Sequence, residues 1–235
     1  MSKSNKKILV SGCGISWSGQ ERPTWVKLFR LSSANIIDIG GPAVSNQWII
    51  NQTFLKLLED PEIKTAIVQL TCIGKLDVEV DTDRINELVK PDSLRNFVYR
   101  GIWPSSASLD HPAKQLWYRW LYSPGLELEE VFCKLVLLKS WCQTNGVELT
   151  VVQGYKLDWT VKHYNQLKNI ITDIDSNIDS NYKNSAEYAL RTDELGVPCL
   201  PYQFHIAVYI AKLAVPEIVE KLEKLKKILI KIIPQ

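Results

Sequence analysis

KILVSGCG, residues 7–14, decides how the rest of the chain is read. Lys7 to Val10 is a short run rich in β-branched side chains, closed by Ser11-Gly12-Cys13-Gly14. A short apolar run that stops at a glycine reads as a buried strand: it is too brief for a helix face and ends where the backbone turns freely. The pattern recurs. Asn35-Ile-Ile-Asp-Ile39 runs into Gly40-Gly41-Pro42, and Thr65 to Leu70 (TAIVQL) runs into Thr71-Cys72-Ile73-Gly74. Val147 to Gln153 (VELTVVQ) supplies a fourth strand.

Helical patterns fill the spaces between. Pro23 opens one with Trp25, Val26, Leu28 and Phe29 available for a buried face, since proline fits a first helical turn. Ser45 can cap the next, which carries Trp48, Ile49, Thr53, Leu55 and Leu58. Leu126 to Gln143 places Leu128, Val131, Leu135, Leu138 and Cys142 near helical spacing, and Asn145-Gly146 stops it. A short helix is expected over Asp81 to Val89, a weaker one over Trp159 to Ile178, and a polar surface loop over 173–185. From Tyr202 the chain is helical again, and Pro216 permits a break and restart. Glu217 to Ile233 then sets Ile218, Leu222, Leu225 and Leu229 on one stripe ringed by lysines. That stripe is expected to pack on the domain; a coiled-coil partner or a membrane surface are the alternatives.

Strands alternating with helices predict the α/β class: a three-layer α/β/α fold around a mostly parallel, flavodoxin-like sheet. One domain over 1–235 is expected. It carries an excursion at 90–124, where four prolines punctuate Trp103, Trp117, Tyr118, Trp120 and Tyr122, and ends in an amphipathic helix at 217–233. Loops of such length usually serve as lids or binding loops.

Composition removes several classes. Hydrophobic residues at 46% and charged ones at 23% fit a globular chain and not a disordered one. A net charge of +2 leaves no electrostatic footprint for nucleic acid as the main partner. Five cysteines, an odd number without a CxxC pair, suggest neither a disulfide framework nor a zinc site. Reduced thiols, the lack of a signal-peptide core and the lack of an apolar span point to the cytoplasm. No metal or cofactor is expected.

In doubly wound sheets ligands bind outside the carboxyl ends of the strands. Three such ends matter here: Gly12-Cys13-Gly14-Ile15-Ser16, then Gly40-Gly41 with Ser45-Asn46, then Thr71 to Asp77. Glycines there either turn the chain or expose N–H groups toward an anion or oxyanion. The first segment has neither dinucleotide GxGxxG spacing nor a Walker lysine.

These segments resemble the SGNH (GDSL-type) hydrolase superfamily, and in particular small SGNH-like proteins of phages and marine bacteria. The first family block is a strand ending in Gly-Asp-Ser, which Gly12-Cys13-Gly14 matches in place, with glycine where the nucleophilic serine stands. Gly41 matches the oxyanion glycine after the second strand. Gly74-Lys-Leu-Asp77 matches the third block, with leucine in place of its asparagine. Tyr202-Gln-Phe-His205 matches the final Asp-x-x-His without its aspartate.

The resemblance implies an esterase or acyl-transfer enzyme for a small or carbohydrate ester. Because Gly14 has no side chain to attack a carbonyl, the nucleophile passes to Cys13 or Ser16, with His205 as base. Gly12, Gly14, Gly41, Asn46, Thr71, Asp77 and Cys199 would surround the substrate, and Trp117 and Trp120 would stack on it. Each has an ordinary alternative. Cys13 fits a small buried hydrophobe, Ser16 a helix cap, His205 an inert inner-face histidine, and the tryptophans a core or a subunit contact. A second functional class therefore stands beside the first: an inactive SGNH-like protein that binds a glycan or a protein partner through the excursion. Homo-oligomer formation is left open.

Overall fold

The computed structural model of the chain describes residues 6–13, 24–32, 35–41, 44–71, 73–74, 122–154 and 200–232. Their order is β1 (Lys7–Ser11), α1 (Trp25–Leu31), β2 (Asn35–Asp38), α2 (Asn46–Glu59), β3 (Ile63–Leu70), α3 (Pro124–Thr144), β4 (Glu148–Gln153), α4 (Leu200–Ala214), a 3-10 turn at Pro216–Ile218, and α5 (Val219–Ile232). The segments expected as helices at 81–89 and 159–178, the loop at 173–185 and most of the 90–124 excursion lie outside the described residues.

The four described strands form one sheet in the order β2-β1-β3-β4. Every pairing is parallel. A parallel sheet needs cover on both faces, which explains the almost unbroken apolar runs in its strands. Alternation then sorts them. Leu9, Ala66, Val68, Leu70 and Val151 face one core, with α2 and α3. Ile8, Val10, Ile67 and Val152 face the other, with α1, α4 and α5. Helix, sheet and helix make the three layers that the sequence predicts.

Local chemistry fixes the helix starts. Ser45 accepts from the Trp48 N–H at 3.1 Å and caps α2. Thr24 caps α1 through the Lys27 N–H. α3 begins two residues before the expected start, because Ser123 caps it and Pro124 occupies its first turn, where a missing N–H costs nothing. At the other end, the α5 stripe packs inward. Ile218 and Leu222 are buried in the second core, with Leu225 and Leu229 against it, so its apolar side is covered by the protein itself.

Candidate functional site

The strand order determines where a crevice opens. From β1 the chain moves outward to β2, then crosses back over β1 to β3. The switch point lies between β1 and β3, and a crevice forms outside their carboxyl ends. Gly12 and Cys13 stand on one side, Thr71, Ile73 and Gly74 on the other.

Hydrogen bonds continue past the strands and stiffen this rim. The Ile39 N–H donates to Val10 O at 2.9 Å and the Gly41 N–H to Gly12 O at 3.0 Å, which extends the β1–β2 ladder. The Gly40 N–H donates to the Asp38 carboxylate at 2.9 Å. A Cβ on Gly40 would sit 3.0 Å from Gly12 O, so any side chain here would force the two closely approaching backbones slightly apart. Asn46, fully buried in the first turn of α2, clamps β3. Its Oδ1 accepts the Thr71 N–H at 2.7 Å, and its Nδ2 donates to Thr71 O at 3.0 Å. One carboxamide thus pairs with the backbone as a neighbouring strand would. Further along, Gly74 at φ 85° donates its N–H to Glu127 Oε2 at 2.7 Å, which ties the first turn of α3 to this corner.

The sequence-selected residues fare unequally. Gly12, Cys13, Gly41, Asn46 and Thr71 gather at the rim. Gly14, Ser16, Asp77, Trp117, Trp120 and Cys199 lie outside the described residues. Cys13 is 1% exposed and packs in the core beneath α2 and α3. Its side chain behaves as the small buried hydrophobe that free cysteine usually is. The Gly41 N–H, expected to face an oxyanion, already serves Gly12 O. Asn46 and Thr71 bond each other, which makes them builders of the rim. His205 sits in the upper turns of α4 and is exposed, while Gln203, Phe204, Ile206 and Ala207 face inward. The inner-face placement expected for His205 is therefore corrected: inward positions alternate around it and leave it on the solvent side.

Sequence reasoning overlooked a polar cluster below the rim. Trp25, completely buried, donates its backbone N–H to Gln203 Oε1 at 2.8 Å and its indole N–H to Gln69 Oε1 at 3.2 Å. Tryptophan offers only donors here, so both carboxamides are oriented with Nε2 turned away from it. Gln69 Nε2 lies 3.1 Å from where a Cβ on Gly154 would be, and Leu70 O 2.8 Å from it. Glycine at 154 is thus required by close packing. A lone glutamine inside TAIVQL was the available signal. Among the described residues no group of three or more His, Cys, Asp or Glu side chains converges on a metal-sized site. No described helix is long and apolar enough to cross a membrane.

No protein-family profile matches the chain, and no curated protein matches its sequence. Solved structures do. One is a candidate acylhydrolase from Bacteroides fragilis, 13% identical, with a TM-score of 0.48 over 94% of this chain and 89% of that one. Another is TesA, 12% identical, with a TM-score of 0.47 over 92% of this chain and 99% of that one. A third is a candidate lipolytic protein of the G-D-S-L family from Desulfitobacterium hafniense, 13% identical, with a TM-score of 0.37 over 83% and 85%. The parallel sheet and its two helical layers stand on the chain's own geometry.

Proposed function

We propose that the chain is an SGNH-type ester hydrolase or acyl-transfer enzyme for small or carbohydrate esters, acting in the cytoplasm at the crevice between β1 and β3. The observation that carries this reading is the rim itself. The Gly12–Gly41 bond and the Asn46–Thr71 clamp hold two strand ends rigidly at the switch point, where this architecture places its ligands.

Burial of Cys13 moves the nucleophile to the hydroxyl of Ser16. In this scheme the His205 imidazole takes the hydroxyl proton as oxygen attacks the ester carbonyl, then returns it to the departing alcohol. Water, deprotonated in turn, releases the acyl group as acid. His205 would have to turn toward the crevice for this. Trp117 and Trp120 would stack against the substrate, and Gly14, Asp77 and Cys199 would border it.

The exposure of His205 and the engagement of Gly41 N–H within the chain favour a second reading, a binding protein without turnover. Hydrolysis of short-chain aryl esters separates the two. Ser16→Ala and His205→Ala should each lower turnover about a hundredfold or more, and Cys13→Ala should leave it within a few-fold. Turnover indifferent to both Ser16→Ala and His205→Ala ends the proposed chemistry. Loss on Cys13→Ala alone returns the nucleophile to the thiol. An inactive wild type that binds a glycan, and loses it on Trp117→Ala or Trp120→Ala, establishes the second reading.

A further inference from the structure

A cavity lies at the edge of the sheet opposite the crevice. It measures about 550 Å3 and sits between the amino-terminal ends of β1, β3 and β4 and the break between α4 and α5. That volume falls within the range of small-molecule sites. The strand register builds its floor. Ile8 stands beside Thr65, and Thr65 beside Glu148. Partners in adjacent parallel strands share a face and lie about 4.8 Å apart, and Ile8 marks this face as the one covered by α4 and α5. Thr150, two residues along β4, returns to the same face. The wall runs from Leu213 to Glu217, where Pro216 interrupts the helix. Lys6, just before β1, adds a cation to the lining.

The polar groups here are unspent. Among the described residues Lys6, Glu148 and Glu217 form no ion pair, and the Thr65 and Thr150 hydroxyls form no hydrogen bond. Thr65 carries the most weight. It is only 3% exposed, and a hydroxyl so deeply placed is ordinarily bonded. Its neighbours on this face, Ile8 and Ile67, are apolar, so its partner comes from whatever fills the cavity.

Charge narrows the occupant. Two carboxylates stand against one ammonium, and the carboxyl end of α4, bordering the cavity through Leu213 and Ala214, adds partial negative charge. The surplus disfavours phosphates and dicarboxylates and favours a cation, while Lys6 leaves one anionic group to be matched. No aromatic ring is among the described lining residues, so the stacking that holds nucleobases is missing.

We propose that this cavity binds a basic amino acid. Its carboxylate meets Lys6, its two cationic groups meet Glu148 and Glu217, and its α-ammonium donates to the Thr65 hydroxyl on the floor. The assignment holds whether or not the crevice catalyses anything.

Isothermal titration of the full chain with L-lysine at low ionic strength should show a single site. Glu148→Gln and Glu217→Gln should each weaken binding about tenfold or more, as loss of a charge-assisted bond does. Thr65→Val, which keeps the side chain's shape, should weaken it about threefold or more. Cadaverine lacks the carboxylate and ε-aminocaproate lacks the α-ammonium; each should bind about tenfold more weakly than L-lysine. Glu129→Gln, exposed on α3 in the other layer, should bind as the wild type does, and far-UV circular dichroism should show every variant folded. No heat of binding up to millimolar L-lysine overturns the proposal. So does an affinity untouched by Glu148→Gln and Glu217→Gln, one untouched by Thr65→Val in the folded variant, cadaverine binding as tightly as L-lysine, or an equal loss on Glu129→Gln.

Discussion

The two helical layers do the same work on the sheet and differ in the surface that each presents to solvent. α2 and α3 bury one stripe each and leave Leu55, Leu58, Leu126 and Leu137 exposed outside. On the other side, α5 buries Ile218 and Leu222 through its turn and stripe, and turns Glu220, Lys221, Lys224 and Lys227 outward. Leu31 on α1, Leu213 on α4 and Ile228 on α5 are its layer's exposed apolar side chains. Both helical layers satisfy the sheet, so covering the sheet cannot explain the difference. An amphipathic helix with one apolar stripe is the expected solution for an outer layer. α3 departs from it at Leu126 and Leu137, both more than half exposed.

The comparison also holds inside the protein, where each layer is anchored by a different device. The α1–α4 layer relies on one large side chain. Trp25 packs edge to face on Phe29 at 5.2 Å and bonds Gln69 and Gln203. Trp25→Ala should cost about 3–5 kcal/mol in urea unfolding, since it opens a cavity and strips Gln69 Oε1 of its donor. The α2–α3 layer relies on a small polar one. Asn46→Ala should cost about 2–4 kcal/mol, because the Thr71 N–H and carbonyl are then buried without partners. A loss below about 1 kcal/mol for Asn46→Ala would mean that water replaces the amide, and that the β3 end is not fixed by α2. Equal costs would erase the contrast between an anchor of volume and an anchor of hydrogen bonds.

Much of this contrast was legible in the sequence, and the reasons are physical. Strands buried on both faces must be apolar throughout, so ILV and AIV stand out and glycine marks their ends. Ser45 could be named a cap from its place alone. Ser123 could not, because Pro124 reads equally as loop punctuation and as a first-turn residue. The clamp by Asn46 was invisible for another reason: which side chain of a first turn meets the next strand depends on helix docking. His205 was partly legible. It falls seven residues before Lys212 on the same helical face, and both are exposed. The site was hardest to read, since much of it falls on residues 14–23 and 75–121, beyond the described strands.

The smallest effect distinguishes the layers by their ion pairs. Lys7 Nζ reaches Asp60 Oδ2 at 3.0 Å and also Glu62, and so joins β1 to the turn after α2. Its partners, Glu62 first and Asp60 next, hold the Lys7 ammonium above its ordinary 10.5. The hydrogen bond from Lys7 holds the Asp60 carboxyl below its ordinary 3.8. On α5, Lys224 meets Glu220 one turn away at 2.6 Å and likewise holds that carboxyl below its ordinary 4.5. A lowered carboxyl stabilises the fold above its ordinary value, and that contribution disappears as pH falls through the folded value. A raised ammonium stabilises below its ordinary value and stops doing so as pH climbs through the folded one. Asp60→Asn should therefore lower the melting temperature near neutral pH, with the deficit closing in acid below 3.8 and shrinking in strong base above 10.5. Glu220→Gln should leave the melting temperature nearly unchanged at every pH, since both ends of its pair, 69% and 80% exposed, are already solvated. Thermal melts of the two variants across pH decide the matter. A larger effect from Glu220→Gln than from Asp60→Asn would show that a pair within one helix outweighs one that closes the sheet's lower edge, and would reverse the ranking of the layers.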